Sequence, residues 1–148
     1  MFEVEIDMVV SDTLKAVEIY ENVFNLEDVT STNLERGLNE AIFTIHGTRF
    51  HILDENPEYD LTAPEEGKDK SVWFNITVED INKVYDKAIN AGFEEVQPIT
   101  KMEDMGVSNA VFSDPFGHVW MIHQVHHKVS FEKRMEIMDK KIEEESKS

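Results

Sequence analysis

Residues 112–123 read Phe112-Ser113-Asp114-Pro115-Phe116-Gly117-His118-Val119-Trp120-Met121-Ile122-His123. Two runs with alternating apolar side chains flank the Asp-Pro-Phe-Gly segment, and this arrangement predicts a β-hairpin. Pro115 presets φ at about −65° in the second turn position, and Gly117 occupies a position that requires a positive φ. The turn therefore restricts the hairpin to a narrow range of geometries.

A shorter form of this hairpin lies earlier in the chain, at residues 41–53. With two turn residues fewer, Gly47 aligns with Gly117, Phe50 with Trp120 and Ile52 with Ile122. The repeat continues upstream, where residues 4–12 match residues 72–80 at a constant offset. Both stretches alternate apolar with other side chains, as half-buried strands do. The apolar positions are Val4, Ile6, Met8 and Val10 in the first copy and Val72, Phe74, Ile76 and Val78 in the second.

Each of these two strands leads into an aspartate, Asp12 or Asp80, that can cap a helix by accepting backbone N–H bonds. The residues that follow place apolar side chains at helical spacing, which predicts two amphipathic helices with one buried stripe each. The stripes are Ala16, Ile19, Tyr20, Val23 and Phe24 in the first helix and Ile81, Val84, Tyr85, Ala88 and Ile89 in the second. Asn25 and Gly92 are suited to the left-handed conformation that ends a helix.

The repeats predict an α+β fold of two tandem βαβββ modules, with a weak second strand near residues 28–34 and 94–99. We expect a single domain over residues 1–148, with a first module at 1–56, a linker at 57–70, a second module at 71–127 and a C-terminal helix at 130–146. Pro57, Pro64 and Gly67 mark the linker. Ser130 is a suitable N-cap for the last helix, whose narrow apolar stripe is Phe131, Met135, Met138 and Ile142.

The composition excludes several classes of protein. The formal net charge of −17 opposes binding to nucleic acid and to anionic membranes, because both require basic patches. The absence of cysteine excludes a disulfide scaffold and thiolate metal sites, and it predicts a reducing, cytoplasmic location. No apolar run reaches membrane-spanning length, and the N-terminus is expected to begin a strand rather than a signal peptide. The chain also lacks a glycine-rich phosphate loop, a Gly-x-Ser-x-Gly elbow and a cysteine nucleophile.

The paired modules, the Asp-capped helices and the Asp-Pro-Phe-Gly-His-x-Trp-Met hairpin at residues 114–121 resemble the vicinal oxygen chelate superfamily. That superfamily includes glyoxalase I, fosfomycin and bleomycin resistance proteins and extradiol dioxygenases. The hairpin and its continuation through residues 124–130 are most similar to the PhnB-like branch. The resemblance covers about residues 2–130, and it implies the glyoxalase/bleomycin resistance fold, in which a cup-shaped mixed sheet surrounds a ligand cavity.

The resemblance also implies four positions for a metal site, on the first and last strands of each module. They lie seven residues before each capping aspartate and four residues after each hairpin glycine, at Glu5, His51, Trp73 and Met121. Glu5 and His51 can bind a divalent cation, whereas Trp73 cannot and the Met121 thioether is a poor ligand. Because a catalytic site normally needs three protein ligands, we expect no catalytic metal and no cofactor. If a divalent metal is bound, the predicted ligands are Glu5, His51 and His123, since His123 shares a strand face with Met121.

Strand parity predicts which side chains face the cup. Arg49 there either pairs with a carboxylate, as buried charges usually do, or receives an anionic group of a ligand. His51 can also act as a general base, whereas no residue is assigned a catalytic role. Trp120 is expected in the core, and His118, His126 and His127 are expected to be exposed. The predicted ligand-binding residues are Glu5, Asp7, Arg49, His51, Trp73, Asn75, Met121 and His123.

Two classes of function remain open at this point. The first is a glyoxalase/bleomycin-resistance-like protein that binds a small molecule in a cup-shaped cavity without a catalytic metal, and the incomplete donor set and Trp73 favour it. The alternative is a divalent-metal-dependent lyase, isomerase or resistance transferase. The apolar stripe of the C-terminal helix needs a surface to pack on, so we expect a homodimer. The resemblance allows the cup to be built within one chain or by exchange of modules between two chains.

Overall fold

The computed structural model describes residues 2–65, 68 and 70–147. Met1 and the predicted linker residue Gly67 lie outside the described residues. Two short 3-10 helices at Pro57–Tyr59 and Glu103–Met105 accompany the main elements. The main elements, in chain order, are β1 (Ile6–Val10), α1 (Thr13–Phe24), β2 (Glu27–Ser31), β3 (Glu40–Ile45), β4 (Thr48–Asp54), β5 (Phe74–Thr77), α2 (Ile81–Asn90), β6 (Glu94–Met102), β7 (Val107–Ser113), β8 (Val119–Val125) and α3 (Phe131–Ser146).

Each module forms a mixed four-stranded sheet. The strand orders are β1-β4-β3-β2 and β5-β8-β7-β6, with β1–β4 and β5–β8 parallel and the other pairs antiparallel. Ile6 lies opposite Phe50 in the first sheet, and Phe74 lies opposite Trp120 in the second. The aligned residues of the two hairpins therefore occupy equivalent places, which confirms the two predicted βαβββ modules.

The strand boundaries differ from the repeat in the sequence. β1 begins at Ile6 and β5 at Phe74, so Val4 and Val72 precede the strands and are exposed. Alternation marks residues that are able to form a strand, but pairing also requires a partner strand opposite. β6 runs on to Met102, past the predicted end, and its register shifts between Gln97 and Thr100. Pro98 lies within that shift, as expected for a residue that has no N–H to donate.

The helix ends follow the capping chemistry of the sequence. Asp12 accepts a hydrogen bond from the backbone N–H of Lys15, and Asp80 accepts the equivalent bond from Lys83. Asn25 ends α1 in the left-handed region with φ of 55°. Ser130 caps α3, but α3 buries none of its side chains in a single chain. Among the described residues, no helix is both long and apolar enough to cross a bilayer.

One aromatic cluster joins the two modules. Trp120 is fully buried, and its ring lies 4.6 Å from Phe24, 5.3 Å from Tyr20 and 5.9 Å from Phe50, which belong to the first module. Phe74 lies 4.9 Å away on the neighbouring strand. This confirms the predicted core position of Trp120. α1 packs on β3 and β4, and α2 packs on β6, β7 and β8, so each sheet has one face covered by its own helix.

Candidate functional site

The uncovered face of the first sheet carries a cluster of charged residues. Glu5, Asp7, Arg49 and His51, here called the first-sheet cluster, meet on this face. Arg49 Nε lies 2.8 Å from Glu5 Oε2, while His51 Nδ1 lies 3.2 Å from Glu5 Oε1 and 3.6 Å from Asp7 Oδ1. Asp7 and His51 are direct partners across β1 and β4, and Glu5 directly precedes β1. The structure therefore brings together four of the predicted ligand-binding residues.

The electrostatics of the cluster depend on its two carboxylates. Burial, followed by the hydrogen bond to Glu5 and the negative charge of that residue, raises the pKa of Asp7. The hydrogen bond from Asp7 lowers the pKa of Glu5 against the effect of burial, and His51 and Arg49 lower it further. Of the two carboxyl groups, Glu5 therefore ionises more readily than Asp7, because it lies beside both Arg49 and His51.

Two nitrogen atoms of the cluster have no hydrogen bond of good geometry within the described part of the chain. They are Arg49 Nε, which is close to Glu5 but poorly aligned with it, and His51 Nε2. The nearest carboxylate to His51 Nε2 is that of Glu40, at 3.8 Å, which is too long for a hydrogen bond. Buried polar atoms are normally paired, so these two are suited to a further partner.

Three side chains of the cluster form a possible cation site. Ligand atoms of Glu5, Asp7 and His51 all lie within 4.8 Å of one another. Two carboxylates and an imidazole suit a divalent cation, although the adjacent guanidinium of Arg49 opposes one. Sequence reasoning placed Asp7 on the correct face but did not include it among the metal ligands. The alternation of Glu5 and Asp7 on one strand face was the available signal.

The second module contributes different chemistry. Trp73 directly precedes β5 and is 52% exposed, whereas Trp120 is buried. Trp73 and Asn75 line a cavity of about 460 Å³ together with Ile6 and Phe50 of the first module, and we call this the inter-module cavity. Met121 is half-buried opposite Asn75 on β8. An aromatic face, apolar walls and an amide therefore meet in one cavity.

His123 lies in a different environment from the rest of the predicted site. Its Nδ1 is hydrogen-bonded to Asn109 Oδ1 on β7, and the ring lines another cavity beneath α3. Burial, and then the positive charge of Arg134, lower the pKa of His123. The structure thus groups Glu5 and His51 with Asp7, and it places His123 on the second sheet under α3.

Residues 4–122 match the Glyoxalase/Bleomycin resistance protein/Dioxygenase superfamily. The chain belongs to this superfamily. This confirms the resemblance seen in the hairpin and in the paired modules. An uncharacterized protein of Mycobacterium tuberculosis (strain ATCC 25618 / H37Rv) is 28% identical over 123 residues, which cover 79% of this chain and 71% of the relative.

Solved structures with the same superfamily fold include fosfomycin resistance proteins. FosX from Listeria monocytogenes superposes with a TM-score of 0.65 at 18% identity, covering 90% of this chain and 98% of FosX. A second form of that protein, with 16% identity, the same TM-score and coverage of 93% and 97%, is complexed with Mn(II) and sulfate. TioX from Micromonospora sp. ML1 superposes with a TM-score of 0.61 at 19% identity, covering 86% of this chain and 100% of TioX. At these identities the likeness establishes the fold.

Proposed function

We propose that this protein binds a small aromatic molecule in the inter-module cavity without a catalytic metal. The observation that carries the proposal is Trp73. At a position where the enzymes of the superfamily are expected to supply a metal donor, this chain has a half-exposed indole instead. Large exposed aromatic residues beside a cavity supply contact area for flat ligands.

The surroundings of Trp73 support the same function. Phe50 and Ile6 form apolar walls, and Asn75 places an amide that can both donate and accept a hydrogen bond. A mainly apolar cavity with a few polar groups is the usual composition of a small-molecule site. In the first-sheet cluster, Arg49 is ion-paired with Glu5, so His51 Nε2 is the buried polar atom that is suited to a polar group of a ligand.

We expect 2-naphthol, used as a flat neutral probe, to bind the full chain and to change the fluorescence of the exposed Trp73. The buried Trp120 should contribute little to that change. Trp73→Ala should weaken the binding measured by calorimetry about tenfold, since an aromatic pair contributes about 0.5–1.5 kcal/mol in addition to the buried area that the substitution also removes. Tyr59→Ala is the matched control, because Tyr59 is an exposed aromatic residue of the linker. Equal affinity in Trp73→Ala and the unmodified chain would count against the proposal.

A metal-dependent lyase, isomerase or transferase is the second candidate, and the approach of Glu5, Asp7 and His51 favours it. In that case a divalent ion held by these side chains would act as a Lewis acid. We expect the chain, purified without a chelator, to contain no stoichiometric divalent ion, because only one module supplies donors. About one Mn, Ni, Zn or Fe ion per chain, lost in Asp7→Asn or His51→Ala and kept in His123→Ala, would establish the second candidate instead.

Two finer assignments are also proposals. Membership of the PhnB-like branch rests on the hairpin motif and its continuation past β8. A homodimer is supported by the stripe of α3, where Phe131, Met135, Met138 and Ile142 are all exposed in a single chain. Phe131 and Ile142, which do not line the cavity beneath α3, would form the contact between the two copies.

A further inference from the structure

A second cavity, of about 940 Å³, lies between α3 and the uncovered face of the second sheet. We call it the α3 cavity. Its lining includes four of the seven methionines of the chain, Met102 and Met105 beside the sheet and Met135 and Met138 on α3. Methionine side chains are unbranched and adaptable, so such a lining accommodates flexible apolar groups of varied shape. None of the residues that line the inter-module cavity lines this one.

The charge of the α3 cavity is opposite to that of the protein. The chain has 31 acidic and 14 basic residues, yet none of the described lining residues is acidic. Lys128 and Arg134 both line the cavity, and within the described residues neither forms an ion pair. In so acidic a chain, two unpaired cations beside an apolar cavity indicate a local preference for an anion.

The two acidic residues of the 3-10 helix that contains Met105 form ion pairs with lysines. Asp104 lies 4.0 Å from Lys141, and Glu103 lies 3.6 Å from Lys101. The charge of Arg134 also reaches inward, since it contributes to the lowered pKa of His123 behind the methionines. Among the described lining residues, no acidic side chain opposes the charges of Lys128 and Arg134.

We propose that the α3 cavity binds an organic anion with a flexible apolar body and a single carboxylate. The body lies among the methionines, and the carboxylate binds Arg134 and Lys128. A guanidinium can bind both carboxylate oxygens at once, and the lysine adds a mobile point charge. This site is separate from the inter-module cavity, and it does not depend on the aromatic ligand proposed there.

Octanoate and octanamide form a suitable pair of probes, because they share an apolar body and differ in charge. By calorimetry on the full chain, we expect octanoate to bind about tenfold more tightly than octanamide. The reason is that hydrogen bonds to a charged carboxylate are stronger than those to a neutral amide. Arg134→Gln should remove most of that preference and leave octanamide unchanged. Lys140→Gln removes the same charge from the same helix at a residue that does not line the cavity, so it should have little effect.

Amide NMR shifts identify where the probe binds, and they separate the two sites. We expect octanoate to shift Asn109, His123 and residues of α3, and we expect Trp73→Ala to leave octanoate affinity unchanged even if the aromatic site fails. Equal binding of the acid and the amide, octanoate affinity unaffected by Arg134→Gln, or shifts centred on Trp73 would overturn the proposal. So would light scattering that shows a dimer together with no octanoate binding, because a second copy would then cover the cavity.

Discussion

Replacing Asp114 with alanine is expected to lower the free energy of unfolding by about 4–6 kcal/mol, since several buried donors lose their acceptor at once. Asp114 is buried at the start of the turn between β7 and β8. Its Oδ1 accepts the backbone N–H groups of Phe116 and His118 at 2.8 and 2.9 Å. Its Oδ2 accepts the indole N–H of Trp120 and the hydroxyl of Tyr20.

These bonds stabilise both the turn itself and the contact between the two modules. The backbone bonds hold the turn, while the bond from Tyr20 on α1 ties the first module to the hairpin of the second. The expected loss is a large fraction of the stability of a typical domain, which is about 5–15 kcal/mol. In Asp114→Ala the buried donors remain, but neither the carboxylate nor water accepts their hydrogen bonds. The loss of stability therefore exceeds that of an ordinary hydrogen bond.

Urea denaturation of three variants tests this reasoning. Tyr20→Phe removes one donor and keeps the other bonds, so it should cost about 1–2 kcal/mol. Asp139→Ala removes an exposed carboxylate of α3 and should change stability by about 0.5 kcal/mol at most. A loss in Asp114→Ala no larger than that in Asp139→Ala would show that the network contributes little.

Asp114 has one role that its sequence predicts and another that only the folded structure reveals. The Asp-Pro-Phe-Gly pattern predicts the turn because turn chemistry is local. The bond to Tyr20 spans 94 positions and exists only because the modules pack together. Asp54 is similar, since it lies at the end of β4 and accepts the backbone N–H groups of Thr13, Gly37 and Asn39. Neither carboxylate stands out in the sequence as a buried acceptor.

His118 is the clearest local error. A turn histidine was expected to be exposed, but this side chain is half-buried and its Nε2 lies 2.8 Å from the carbonyl oxygen of Val9 in the first module. The turn of the second hairpin therefore packs against the first module. A pattern that describes one hairpin carries no information about what covers it.

The sequence predicts those parts of the candidate site whose side-chain directions follow from the alternation along a strand. Alternation assigns Glu5 and Asp7 to one face, and the hairpin alignment adds Arg49 and His51, so the first-sheet cluster follows from local rules. Parity also placed His123 on the equivalent face of the second sheet. It did not show that α3 would lie beside that face and line a cavity together with His123, because strand alternation does not determine the course of the chain after β8.

The largest expected effect of a single added side chain is that of Gly117→Val, which should lower the free energy of unfolding by about 3–5 kcal/mol. Gly117 has φ of 89°, a conformation that is strained for any β-branched residue. A Cβ there would also lie 3.1 Å from both Cβ and the carbonyl oxygen of Pro64. The backbone of the linker would have to move, in addition to the strain within the turn.

Gly47→Val separates these two contributions. Gly47 is the equivalent turn glycine of the first module, with φ of 84°, but a Cβ at that position would meet nothing within 4 Å. It should therefore show the backbone strain alone, about 1–2 kcal/mol. Thermal unfolding of both variants gives the comparison, since each kcal/mol shifts the midpoint by about 2–4 °C in domains of about this size. Equal shifts would mean that Pro64 does not restrain the hairpin, whereas a larger shift in Gly117→Val would show that the linker and the second turn pack as one unit.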